Sequence, residues 1–255
     1  MKRIFLALFF LATLALQAQN NAIASGEKLV YTASYNMSGI LNDIAQVTME
    51  TSNIKTSKAT LLRLKCTAAT YSKWDNFFKI RDLYESYVNP KTLTPYLYKR
   101  DINEGGYSKA MKYTFSHKTK TVKSVQTKRN NWVENKTVNI NSGTKDIVST
   151  LYNIRLFDYE TMQIGSKKTF TILFDRKETK AQITYLGKET INTAIGQKTC
   201  YKLAVSSNES DVLKGNRDNL VWLTADANKI MVYGKFKIPV GNGELKIKSA
   251  SGLKH

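Results

Sequence analysis

The sequence is poor in the residues on which most enzymatic chemistry is built. It has two histidines, two cysteines and three prolines in 255 residues. His255 is terminal, so His117 alone is left for a catalytic or zinc-binding role, and no spacing around it assembles a triad or a metal site. A lone histidine on a basic strand is ordinarily structural. The GxSxG, phosphate-loop and HExxH patterns are absent. Cys66 and Cys200 lack the CxxC spacing that tunes a thiolate, so they form no redox-active pair of that kind. Acidic residues number 20 against 39 basic ones, and none falls between Glu104 and Glu134. There is no Pro/Ser-rich linker and no repeat of fixed period, so nothing divides the chain into halves.

The N-terminus, "MKRIFLALFFLATLALQAQNNAIAS", carries Lys2 and Arg3, then an apolar run from Ile4 to Leu16, then small residues. This reads as a secretory signal peptide, because the run is too short to span a bilayer comfortably. Cleavage after Ala18 or Ala24 fits the pattern; we assign residues 1–24 to the leader and 25–255 to one domain. No cysteine lies near either site to receive a lipid, and no second long apolar run follows. The expectation is a soluble periplasmic protein, neither a lipoprotein nor an integral membrane protein.

Without the leader the net charge is +17, which favours anionic surfaces or ligands. Export and the absence of any nucleic-acid module argue against nucleic acid. The envelope polyanions that remain are lipid head groups and lipopolysaccharide; a merely basic, solvated surface is the plainer explanation. An oxidising compartment permits one disulfide between Cys66 and Cys200. Cys66 is in phase with Leu62 and Leu64, whereas Cys200 is out of phase with Tyr201, Leu203 and Val205, which leaves bridged and free forms both open.

From Lys28 onward the dominant period is two. Segments such as "KLVYTASYNM", "ATLLRLKCTA", "KTFTILFD" and "KIMVYGKFKIPV" read as strands bounded by Gly, Asn, Asp or Ser. About 8 to 12 residues separate one from the next, which indicates a mainly β fold built on a curved antiparallel sheet, a roll or half-barrel. In "SKWDNFFKIRDLYESYV", a turn at Lys73 to Asn76 leads into a strand.

One stretch has helical spacing. In "DIVSTLYNIRLFDYE", residues 146–160, Ile147, Val148, Leu151, Tyr152, Ile154 and Tyr159 form a broad apolar face with Asp146 as N-cap. The helix falls mid-chain, so it serves as a crossover between two sets of strands and lies against the sheet. Arg155 sits within that apolar face and Asp158 one turn on. Either they satisfy each other, or Arg155 reaches a strand carboxylate such as Glu85, or Arg155 clamps an anionic head group at a cavity mouth.

Two further features bear on function. Lys118, Lys120, Lys123 and Arg129 belong to the acid-free run and would form a positive stripe on adjacent strands, or simply solvate an outer face. Aromatic residues, Trp222 among them, either fill the interior or line a cavity.

The segments "GEKLVYTASYNMSGI", "RDLYESYVNPKTLTP", "INEGGY", "DIVSTLYNIR", "LGKETINTAIGQKTCYKLAV" and "LVWLTADANKIMVYGKFKIPVGNGELKI", in this order, resemble the bacterial envelope family known as domain of unknown function 3108. The resemblance implies an exported antiparallel β protein with a curved sheet similar to half-barrel lipoprotein carriers, and supplies no catalytic residue, cofactor or ligand. Positions that match its pattern are Glu85, Ser86, Pro95, Asp146, Ser149, Arg155, Trp222 and Asp226. Met231 stands where the pattern has proline.

These readings converge on a non-enzymatic protein that binds an amphipathic anionic, lipid-like molecule without a cofactor. Its candidate ligand residues are Arg155, Asp158, Glu85, Trp222, Lys118, Lys120, Lys123 and Arg129. The alternatives are an interaction protein with a filled core that docks an envelope protein through a sheet edge, and a glycan or lipid hydrolase using carboxylates such as Asp82, Glu85 or Asp226.

Overall fold

The computed structural model describes residues 19–37, 39–128, 131–207, 219–238 and 241–255. Residues 1–18 of the expected leader and Arg129 of the basic run lie outside them. Eight strands come first: β1 (Lys28–Met37), β2 (Ile40–Lys55), β3 (Thr60–Thr70), β4 (Arg81–Val88), β5 (Pro95–Glu104), β6 (Tyr107–Ser116), β7 (Thr121–Lys128) and β8 (Val133–Asn139). A short helix, α1 (Ile147–Asn153), leads to β9 (Lys167–Phe174), β10 (Lys177–Thr193), β11 (Gly196–Ser207), β12 (Leu220–Thr224), β13 (Met231–Ile238) and β14 (Gly241–Ser251). A 3-10 turn at Ser72–Trp74 precedes β4 where a turn was expected.

All fourteen strands form one curved, open antiparallel sheet in the order β8 to β1, then β14 to β9. Each strand pairs with its sequence neighbour except where β1 meets β14. The sheet therefore has two arms, β1–β8 and β9–β14, and α1 crosses between their outermost strands.

The period of two has a direct physical meaning here, since successive side chains alternate between faces and register partners share one. On the inner face Leu29, Met49, Cys66, Tyr84, Arg100 and Met111 stand side by side. One residue earlier or later, on the outer face, Lys28, Glu50, Lys65, Glu85, Lys99 and Lys112 form a cross-strand row. Lys28 and Lys65 both pair with Glu50, at 3.1 and 3.4 Å.

The helix is capped as expected: the Asp146 carboxylate accepts from Ser149 N at 2.8 Å and from Ser86 Oγ at 2.6 Å. It is shorter than the 146–160 segment. A 3-10 turn takes over at Ile154–Leu156, and the chain is extended by Phe157. There the Tyr159 hydroxyl donates to the Ile154 carbonyl at 2.7 Å, and Phe157 and Tyr159 leave the helical path to join Phe170, Tyr185 and Tyr201 in an aromatic cluster. Leu151 is not buried with the rest of its face but 42% exposed.

Residues ahead of Ser25 belong to the fold. Ala22 and Ile23 are in the core, Asn20 N donates to Lys91 O at 2.6 Å, and Thr51 Oγ1 donates to Ala24 O. The two cysteines are free and lie on β3 and β11, six strands apart in the sheet.

Candidate functional site

The described pockets include an apolar cleft of about 480 Å³ between the two arms. Its walls are Cys66 and Tyr84 from the first arm, and Ile172, Phe174, Thr179, Ala181 and Ser207 from the second; Ile147, Val148 and Leu151 of α1 form the floor. Leu151 is exposed because it faces this space, and Phe174, 41% exposed, is its counterpart on β9. A helix normally hides such a leucine; here the arms are held apart above it.

What holds them is the β9–β10 turn. Asp175 and Arg176 both have positive φ, 45° and 66°, as a two-residue type I′ hairpin requires, although Asn-Gly would be the unstrained choice. The turn delivers both side chains to the first arm. Asp175 pairs with Arg100 and, at 2.8 Å, with Lys109; both cations hold its carboxyl below the usual aspartate range against the opposing effect of burial. The Arg176 side chain donates to Ser124 Oγ at 2.8 Å and to Glu134 O at 2.7 Å, and its backbone N–H donates to Tyr113 Oη at 2.8 Å.

Charge is present directly behind the apolar walls. The Arg100 guanidinium lies 4.4 Å from the Phe174 ring centroid and is the register partner of Tyr84. Its Nε is buried without a hydrogen-bond partner. Nearby, Asp82 accepts from Asn103 N at 3.0 Å, and Glu104 is pushed above the usual carboxyl range by burial and by a hydrogen bond with Asp82. Burial also pushes the Cys66 thiol up to about 12.

The profile of a protein family of unknown function, DUF3108, matches residues 30–248. The chain belongs to the DUF3108 family. Among solved structures, a β-barrel-like protein of the family DUF1849 from Brucella abortus has the same fold, with a TM-score of 0.57 at 7% identity over 89% of this chain and 97% of that one. A Bacteroides fragilis protein with a YmcC-like fold is 8% identical over 89% and 96% of the two chains, with a TM-score of 0.34. No curated protein matches.

Several of the positions named above for their resemblance to the DUF3108 pattern anchor α1. Ser86, Asp146 and Ser149 make its N-cap. Asp226 organises the turn after β12, accepting from Thr224 Oγ1 at 2.8 Å and from Asn228 N at 2.9 Å, and the Asn228 carbonyl in turn receives Arg155 Nε at 2.9 Å. Arg155 also makes two bonds to Glu27, at 2.6 and 2.7 Å, and one to Ala22 O. It does not face Asp158, which is exposed and accepts from Glu160 N, and it does not reach Glu85.

The sequence-derived residues are thus not assembled into one site. Glu85 is on the outer face, 3.6 Å from Arg63. The Trp222 ring lies 4.7 Å from that of Tyr233, tilted by 35°, and its Nε1 donates to Glu189. Lys118 and Lys120 occupy the β6–β7 turn and Lys123 is exposed on β7; none lines the cleft. His117 Nε2 sits 2.6 Å from Pro95 O. Among the described residues no group of three or more His, Cys, Asp or Glu could hold a metal.

Proposed function

We propose that this is an exported, non-enzymatic periplasmic protein that holds the apolar part of an amphipathic anionic molecule in the cleft between its arms. The observation that carries this reading is the cleft itself: its volume is in the range of small-molecule sites, and apolar groups dominate its lining with few polar ones. Arg100 lies behind Phe174 and Tyr84 but is buried and paired with Asp175, so the anionic end of the guest is left to the basic residues outside the cleft and not to Arg155, the residue that the sequence suggested. Arg155 is spent on Glu27 and two backbone carbonyls.

Neither alternative gains comparable support. Strand addition needs a free sheet edge; of the two edges, β8 has its Glu134 carbonyl bonded to Arg176, and β9 has Thr171 and Leu173 bonded to the Lys145 backbone. The carboxylates named for hydrolysis are not gathered together: Asp82 accepts from Asn103 N, Glu85 lies on the opposite face of β4 beside Arg63, and Asp226 organises the turn after β12.

Native mass spectrometry with organic extraction, on mature protein from its own host, tests the proposal. The expected result is an adduct of lipid-like mass, together with competed uptake of a fluorescent fatty-acid probe. Leu151→Arg and Phe174→Ser should each weaken uptake at least about tenfold while leaving the fold intact. A bare mass and no probe uptake at any salt concentration would overturn it.

A further inference from the structure

In an antiparallel meander alternate turns fall at the same end. The β1–β2, β3–β4, β5–β6 and β7–β8 connections therefore share one end of the first arm, and the β9–β10 turn of the second arm, next to the cleft-lining Phe174, falls at that same end. The same end carries a concentration of exposed apolar side chains. Ile40 is on the first turn, Phe77 and Phe78 on the second, Tyr107 on the third, Trp132 and Val133 on the fourth, with Phe77 81% and Ile40 66% exposed.

These turns are tied into a platform. Trp74 Nε1 donates to Asp43 O at 2.7 Å, joining the second turn to the first. Gly105 N donates to Lys79 O at 2.9 Å, joining the third to the second. Gly105 has φ +52°, and a Cβ there would come within 2.6 Å of the Phe78 ring, so the glycine is what lets Phe78 lie across the hairpin. Exposed lysines alternate with the rings: Lys73 Nζ is 5.6 Å from the Trp74 ring and Lys128 Nζ is 5.0 Å from Trp132.

We propose that this end of the sheet docks on an anionic lipid bilayer. Apolar and aromatic residues spread singly over several turn tips, with cations among them, match a soft interface that accepts each tip separately; aromatic rings and lysine stems are the side chains that settle at the head-group level. The net charge of +17 without the leader adds long-range attraction to an anionic surface. The inference rests on the carrier reading only in giving the ligand a source; docking and cleft loading are separable.

The test is co-sedimentation of the mature protein with vesicles of phosphatidylglycerol and phosphatidylethanolamine, with phosphatidylcholine vesicles as the neutral comparison. Binding to the anionic vesicles that falls with salt, and a blue shift of tryptophan emission, are expected. The triple variant Phe77→Ser/Phe78→Ser/Trp132→Ser should bind at least about tenfold more weakly. Ile164→Ser, which removes an equally exposed side chain from the loop leading into β9, should bind as the parent does, and so should Leu151→Arg, whose defect is confined to the cleft. Absence of anionic-vesicle binding at low salt, or equal loss in Ile164→Ser, would overturn the proposal. Self-association abolished by the triple variant, without vesicle binding, would instead assign the surface to a second copy of the chain.

Discussion

Arg155 and Glu27, 128 residues apart, are joined by two hydrogen bonds of 2.6 and 2.7 Å, and both side chains are buried. The pair fixes the end of the helical segment to the strand-leading residue ahead of β1. Removing one partner strands the other charge, a cost of about 3–5 kcal/mol. Glu27→Gln or Arg155→Met should therefore lower the unfolding free energy by roughly that amount in urea titration. The double variant Glu27→Leu/Arg155→Met should lose clearly less than the sum of Glu27→Leu and Arg155→Met; additive losses would show that the pair is not coupled.

Processing of the leader is expected after Ala18, not after Ala24. A chain beginning at Ser25 would lose buried Ala22 and Ile23 and the carbonyl that Ala22 offers Arg155. Intact-mass measurement of mature protein should place Gln19 first, and a 25–255 chain should melt at lower temperature than 19–255. A native start at Ser25 with equal thermal stability would refute this.

Glu104 makes stability fall with rising pH. Its folded pKa is above the unfolded value, owing to burial and then the hydrogen bond with Asp82. The folded state therefore binds the proton more tightly, and the contribution is complete below the ordinary glutamate pKa and lost as pH rises through the folded one. Glu104→Gln should remove this slope on the acidic side of neutrality, read as melting temperature against pH. An unchanged slope would sink the assignment.

The thiols should be countable and slow. Burial raises Cys66 to about 12 and Cys200 to about 11, so little thiolate forms at neutral pH. A disulfide-exchange reagent should react slowly with the native protein and find two thiols once it is unfolded in denaturant. Recovery of none would reveal a bridge that the native strand positions do not make.

The alternating sheet, the turn before β4 and the N-cap of α1 were legible because each depends on local periodicity or on one side chain reaching three residues along. Arg155 was legible as an anomaly, but its partner was not: Glu27 lies ahead of β1, and only the β1–β14 junction brings that region beneath the helix. Arg100 carries the same signal that drew notice to Arg155, since it is in phase with buried Tyr98 on β5. In a strand that phase is easily overlooked beside Lys99 and Asp101. Asp175 and Arg176 gave less warning, because aspartate suits the left-handed region but arginine stands where such a turn ordinarily has glycine. The cleft depends on how far the arms stand apart, which no local pattern encodes.

The two outermost strands, β8 and β9, share no backbone ladder, so the open sheet has a seam, bridged by the ion pairs of Asp175 and Arg176. Such a seam can unbutton by exchanging a few ion pairs for water, while every strand ladder stays whole. Were the arms to part there, the β1–β14 junction would be the spine of a book, and a guest of the proposed kind could enter sideways without having to thread through the end.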